Sequence, residues 1–274
     1  MSQKTFSLAD RAGRNLARIR EQRPLIHNIT NYVVMNFTAN ALLDLGASPV
    51  MAHAEEEVEE MVSLAGALVL NIGTLSQEWI ASMLKAGKRA TELNTPVVLD
   101  PVGSGATRLR TQTARDILDQ TQVWCVRGNA SEIISLGKVT SRTKGVDSTH
   151  SVHEAAETAQ DLARELNSAV AITGPTDLVT DGQRTVRVDN GHPLMGWITG
   201  TGCVASALCA AFLAVDKDRV GAAASALAFW GLAGERAGET ASAPGSFQSA
   251  LMDALYLITP EELIAGARLT EMYV

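Results

Sequence analysis

Cysteine is scarce in this chain. Three among 274 residues are too few for a disulfide framework, and so few thiols fit a reducing, cytoplasmic setting. Surplus positive charge is absent too. Lys and Arg number 23 against 30 Asp and Glu, a formal charge of −7, which argues against a nucleic-acid or anionic-membrane partner. No apolar run reaches the about 20 residues of a membrane span. The two most apolar stretches, Cys203–Val215 and Gly221–Gly234, are separated by Asp216-Lys217-Asp218-Arg219 and read as two buried helices. The segment from Met1 to Arg20 carries basic residues without an apolar core, so it does not read as a signal peptide. Aromatic residues make up only 4%, and Ala-rich helices such as Gly221–Leu232 can pack against a neighbour as easily as against the core. Repeats and low-complexity linkers are missing, so residues 1–274 read as one domain.

Short runs rich in Val, Ile and Leu recur at Ser48–Ala52, Ala67–Ile72, Pro96–Leu99, Val123–Val126 and Ala169–Thr173. Continuous apolar runs of this length suit strands covered on both faces. Between them lie segments with helical spacing: Asn36–Leu45 followed by Gly46 as a C-cap, Glu56–Ala65, Leu75–Leu93 and Val152–Leu166. Alternation of this kind predicts a mostly parallel sheet between two helical layers, a three-layer α/β/α fold. One hairpin interrupts it, Asp177–Thr180 and Thr185–Val188 about a turn at Asp181-Gly182. After Gly202 the chain reads as all helix.

In such sheets ligands sit beyond the carboxyl ends of the strands. Polar and glycine residues collect there: Gly73-Thr74, Asp100 to Gly105, Arg127 to Glu132, and Thr173 to Thr176. Loops in general share this composition; four at equivalent positions favour a crevice. Gly200-Thr201-Gly202-Cys203 opens the first long apolar helix. Glycine lets backbone N–H groups approach a ligand, and a helix N-terminus offers free donors to a phosphate. The same turn equally suits a plain entry into a buried helix. Cys203 stands where a helix dipole lowers a thiol pKa, although a free Cys is more often a small buried filler; Cys125 and Cys209 read as fillers. Asp100 and Glu132 are hard oxygen donors suited to Mg²⁺, directly or through water. Equally, Asp100 suits a turn before Pro101 and Glu132 the first turn of a helix. A Walker-type phosphate loop, a dinucleotide fingerprint, a zinc-protease helix and a nucleophile elbow are all missing.

The Gly200–Cys203 turn with Asn129-x-x-Glu132 upstream resembles the ribokinase-like superfamily. His27-Asn28-Ile29-Thr30-Asn31-Tyr32-Val33-Val34, Gly46-Ala47-Ser48-Pro49-Val50-Met51, Leu99-Asp100-Pro101-Val102-Gly103 and Arg127-Gly128-Asn129 resemble the hydroxyethylthiazole kinases within it. The resemblance runs from about Leu25 to the C-terminal helices. It implies ATP-dependent phosphorylation of 4-methyl-5-(2-hydroxyethyl)thiazole and a homotrimer with active sites at subunit interfaces. It further implies thiazole contacts at Met51, Gly200 and Asn31, ATP contacts at Arg127 and Thr173, and Mg²⁺ at Asp100 and Glu132. Gly200, Thr201, Gly202 and Cys203 would form an anion hole, with Cys203 beside the substrate hydroxyl. Most of the superfamily carries Asp at that last position, which leaves the general base open; the expectation here is that Cys203 is the catalytic residue, positioning the hydroxyl and taking its proton while backbone N–H groups and Mg²⁺ carry the charge. The rival readings are a hydroxymethylpyrimidine or pyridoxal kinase, an ATP-dependent repair enzyme for hydrated nicotinamide cofactors, and a binding protein without turnover.

Overall fold

The structure, a computed structural model, describes residues 7–137 and 152–273; Met1–Phe6 of the N-terminal stretch lie outside the described residues. Nine strands form one sheet. They are β1 (Leu25–Ile29), β2 (Ser48–Val50), β3 (Ala67–Asn71), β4 (Val97–Asp100), β5 (Cys125–Asn129), β6 (Ala169–Thr173), β7 (Asp177–Thr180), β8 (Arg184–Val188) and β9 (Leu269–Tyr273). Their order is β2-β1-β3-β4-β5-β6-β7-β8-β9. All pairs from β2 through β6 are parallel, and those from β6 through β9 are antiparallel.

The helices are α1 (Leu8–Gln22), α2 (Met35–Leu45), α3 (Val58–Leu64), α4 (Gln77–Leu93), α5 (Arg108–Gln120), α6 (Ala130–Leu136), α7 (Val152–Leu166), α8 (Thr201–Val215), α9 (Arg219–Thr240), α10 (Pro244–Leu257) and α11 (Pro260–Gly266). Side chains alternate across a strand, and the sheet uses both faces. Ile26, Val69, Val98, Cys125 and Ala171 pack into one core with α8 and α9. Leu68, Leu70, Leu99, Val126 and Val170 pack into a second core with α4, α5 and α7. This is the expected three-layer α/β/α arrangement. Helices α8 and α9 are buried almost all round, which is why their sequences carry no polar stripe. Among the described residues, no helix is long and apolar enough to cross a membrane.

Helix α7, strand β6 and the hairpin turn stand where the sequence puts them, with Gly182 in the left-handed region at φ 85°. Gly46 caps α2 at φ 106°. Strand β5 begins at Cys125 rather than Val123. The expectation that the chain is all helical after Gly202 is wrong: Leu269–Tyr273 forms β9, pairing antiparallel with β8. Strand β1 has no counterpart among the expected runs, because His27 and Asn28 break its apolar character while remaining buried.

Candidate active site

The carboxyl ends of the parallel strands bring the polar residues together. Asn31 follows β1, Asn71 and Asp100 end β3 and β4 in register with each other, Arg127 lies on β5, and Thr173 ends β6. Helix α8 starts opposite them. Its N-cap is Gly200, at φ 96° and ψ −4°, and no side chain caps the helix. The N–H groups of its first turn are the orphan donors of any helix start.

Asp100 is wholly buried. Its Oδ2 accepts from Asn71 Nδ2 at 2.8 Å and Ser206 Oγ at 2.9 Å. Its Oδ1 has no hydrogen bond, and Arg127 Nη1 lies 3.6 Å from it. Burial pushes the carboxyl up to about 6 against the pull of Arg127. Arg127 in turn donates to Thr173 Oγ1 and stands against Gly202, where an added Cβ would come within 2.8 Å of Nη1. Its own charge is disfavoured by burial, an effect more than offset by Asp100 and Glu132.

Glu132 is the N3 residue of a capping box. Its Oε2 accepts the Asn129 N–H at 2.9 Å, and Asn129 Oδ1 accepts the Glu132 N–H at 2.9 Å. Its Oε1 accepts the Gly103 N–H at 2.8 Å. The helix-start role open in the sequence is therefore realised. A Mg²⁺ ion would meet here one carboxylate oxygen that accepts no hydrogen bond but is ion-paired with Arg127, and one carboxylate held by two backbone donors. Among the described residues, no group of three His, Cys, Asp or Glu is placed to enclose a metal. This donor set fits an ion that keeps most of its water and takes other ligands from a polyphosphate, not a protein cage.

Cys203 corrects an expectation. The helix end does not lower its pKa: burial, and then the Asp100 charge, push the thiol up to about 11. It is protonated at neutral pH. Asn31 Nδ2 lies 3.5 Å from its sulfur. Cys125 is pushed up to about 12 and Cys209 well above its usual range, both by burial, as fits apolar fillers.

A cavity of about 640 Å³ opens beside this cluster, within the size range of small-molecule sites. Arg127, Thr173, Asp177, His192, Gly202 and Trp230 line it. It joins the candidate residues Arg127, Thr173, Thr201 and Gly202, while Asp100, Glu132, Asn31, Met51, Gly200 and Cys203 lie outside its lining. Met51 follows edge strand β2, next to β1 in the sheet. His27 Nε2, 2.7 Å from the Ala52 carbonyl, fixes that loop. Nearby Trp79 contacts the rings of Tyr32 and His53, at centroid distances of 4.8 and 4.9 Å.

Three polar residues of the site were not singled out in the sequence. Asn71 is a polar residue inside an otherwise apolar run, a signal that was there to read. Ser206 lies three positions after Cys203, on one helix face with it. Asp177, pushed up to about 6 by burial, holds the Gly174 N–H at 2.9 Å on the cavity wall.

Comparison with known proteins places the chain in a family. The model of the hydroxyethylthiazole kinase family matches residues 16–261. The hydroxyethylthiazole kinase of Desulfotalea psychrophila is 62% identical over 260 residues, 95% of each chain. The structure of the hydroxyethylthiazole kinase protein from Pyrococcus horikoshii superposes with a TM-score of 0.87 at 49% identity, covering 95% of this chain and 98% of that one. A ribokinase-like superfamily protein of Enterococcus faecalis, 12% identical, shares the fold alone, with a TM-score of 0.62 over 93% of this chain and 90% of that one. The chain belongs to the hydroxyethylthiazole kinase family and has the ribokinase-like fold.

Proposed function

We propose that this chain transfers the γ-phosphoryl group of ATP to the primary hydroxyl of 4-methyl-5-(2-hydroxyethyl)thiazole, in thiamine salvage. The observation that carries the reading is one cavity in which Arg127, Thr173 and Gly202 meet at the start of α8. A polyphosphate there has the guanidinium of Arg127, the Thr173 hydroxyl and the N–H groups of Gly200 to Cys203 as its donors. The thiazole lies on the other side of the turn, near Met51, Gly200 and Asn31. The hydroxyl oxygen forms the new bond to the γ-phosphorus, and the bond to the bridging oxygen breaks with its electron pair leaving on ADP. The hydroxyl proton departs late, to a phosphoryl oxygen or water, because the transition state is loose. A protonated Cys203 thiol holds the hydroxyl in line. Mg²⁺, held through water by Asp100 and Glu132, would draw negative charge from the β- and γ-phosphates.

We read residues 1–274 as one kinase domain and the active unit as a homotrimer with interface sites. Exposed Tyr32, Val33 and Trp197 around the site support a covered surface there. Three free cysteines support a cytoplasmic setting.

The deciding experiment is an enzyme-linked assay for ADP with the thiazole alcohol, hydroxymethylpyrimidine and pyridoxal, each with and without Mg²⁺. ADP is expected only from the thiazole with Mg²⁺. Faster turnover of another alcohol would replace the substrate, and tight thiazole binding without ADP would replace the enzyme by a sensor.

Glu132→Gln tests the metal role. A glutamine places an NH₂ against one of the two backbone donors in either orientation, at a cost of about 1–3 kcal/mol. The thermal midpoint is expected to fall and the Mg²⁺ needed for half-maximal rate to rise. A shifted midpoint with an unmoved Mg²⁺ titration would leave Glu132 only as the cap of α6.

A further inference from the structure

Two asparagines, both hydrogen-bonded to the Cys203 side chain, link Asp100 to Cys203, and the orientation of each amide is fixed. Asn71 Oδ1 accepts the Gly73 N–H at 2.9 Å. A backbone N–H meets only an acceptor, so Asn71 Nδ2 faces the other way, donating to Asp100 Oδ2 at 2.8 Å. Asn31 is oriented independently: its Oδ1 accepts the Val33 N–H at 3.1 Å. Its Nδ2 then has two hydrogens, one for Asn71 Oδ1 at 2.9 Å and one for Cys203 Sγ at 3.5 Å. Neither amide can flip without opposing donor to donor or oxygen to carboxylate. Both side chains are buried, where such mismatches are costly. Gly73 closes the arrangement, since a Cβ there would come within 2.5 Å of Asn31 Nδ2.

We propose that Asn31 and Asn71 are positioning residues that act through Cys203: they make its sulfur an acceptor from Asn31 and so turn its S–H outward, toward the substrate hydroxyl. The resemblance implies a thiazole contact for Asn31, but both of its N–H groups are already engaged inside the protein. The inference rests on the kinase reading above and deepens it.

The test is a double-mutant cycle with Asn31→Asp and Cys203→Ala. Aspartate keeps the size of Asn31 and the acceptor for the Val33 N–H but turns an oxygen toward both sulfur and Asn71. In the wild-type background Asn31→Asp is expected to lower kcat about 10-fold or more, the order of one lost hydrogen bond to a reacting group, with KM for the thiazole within about 3-fold. In the Cys203→Ala background, whose kcat is itself reduced, the same change is expected to lower kcat less than about 2-fold. Asn71→Ala, which removes the fulcrum, is expected to show the same dependence on Cys203. An equal fall of kcat in both backgrounds, or a raised thiazole KM at unchanged kcat, would overturn the proposal. Failure of the kinase reading is seen separately, as no ADP from the unsubstituted protein.

Discussion

Arg127→Ala is expected to raise KM for ATP about 10- to 100-fold while leaving that for the thiazole within about 3-fold. A hydrogen bond to a charged group contributes about 1.5–3 kcal/mol, and about 1.4 kcal/mol is tenfold in affinity. The same change should lower stability in a pH-dependent way. Asp100 is wholly buried, and its nearest cation is Arg127. Removing one partner of a buried pair typically costs about 3–5 kcal/mol, because a charge is left uncompensated. The sign follows from the carboxyl, which titrates at about 6 even with Arg127 beside it. A raised folded pKa favours the protonated acid in the folded state, so stability falls as pH climbs from the unfolded value toward the folded one. Without Arg127 the folded value rises further and the fall extends to higher pH. Urea unfolding should therefore separate the two proteins little at pH 5 and most at pH 8. Arg127→Lys should recover much of the stability, since it keeps the charge. It should recover less of the ATP affinity, since it loses the two-pronged donor. An unchanged KM for ATP in Arg127→Ala would remove Arg127 from the nucleotide site.

The features legible in the sequence share a cause: they depend on neighbours within a few residues. The buried strands β3, β4 and β6 are runs of Val, Ile, Leu and Ala up to a polar last residue, and the Asn129-x-x-Glu132 box is complete within four residues. The failures depend on distance. Strand β9 is legible only once β8 is known to leave an open edge beside it. Cys203 is the sharpest case. Its place at a helix start predicts a lowered pKa, and the local reasoning is sound as far as it goes. Burial and Asp100, brought close by the fold and not by sequence, reverse the sign. Asn71 is half legible: an asparagine inside an apolar run marks itself out, but only its register opposite Asp100 shows what it holds.

Two glycines of the α8 turn should fail in different ways when replaced by alanine, and the contrast tests how the turn works. Gly200 has φ 96°, and an added Cβ would lie 2.8 Å from Val34 Cγ1 and 3.3 Å from Phe37. Alanine in that conformation costs about 1–2 kcal/mol from backbone strain alone, before any clash. Gly200→Ala should therefore lower the urea midpoint, and activity should fall with it as the first-turn N–H groups shift. Gly202 lies inside the first turn of α8 and is not in the left-handed region. There alanine gains about 1 kcal/mol of helix propensity, and the only crowding is with the guanidinium of Arg127, at 2.8 Å from Nη1 and 2.9 Å from Nη2. The far end of a side chain can move where backbone cannot. Gly202→Ala should hold its unfolding free energy within about 1 kcal/mol of the unsubstituted protein. Its KM for ATP should rise about 10-fold, as Arg127 is pushed off Thr173. The thiazole KM should stay nearly unchanged. If Gly202→Ala keeps its affinity for ATP, the guanidinium is free to move without loss and the close approach of α8 to β5 is packing alone. If instead it unfolds like Gly200→Ala, the position of Arg127 is rigid enough to be part of the core.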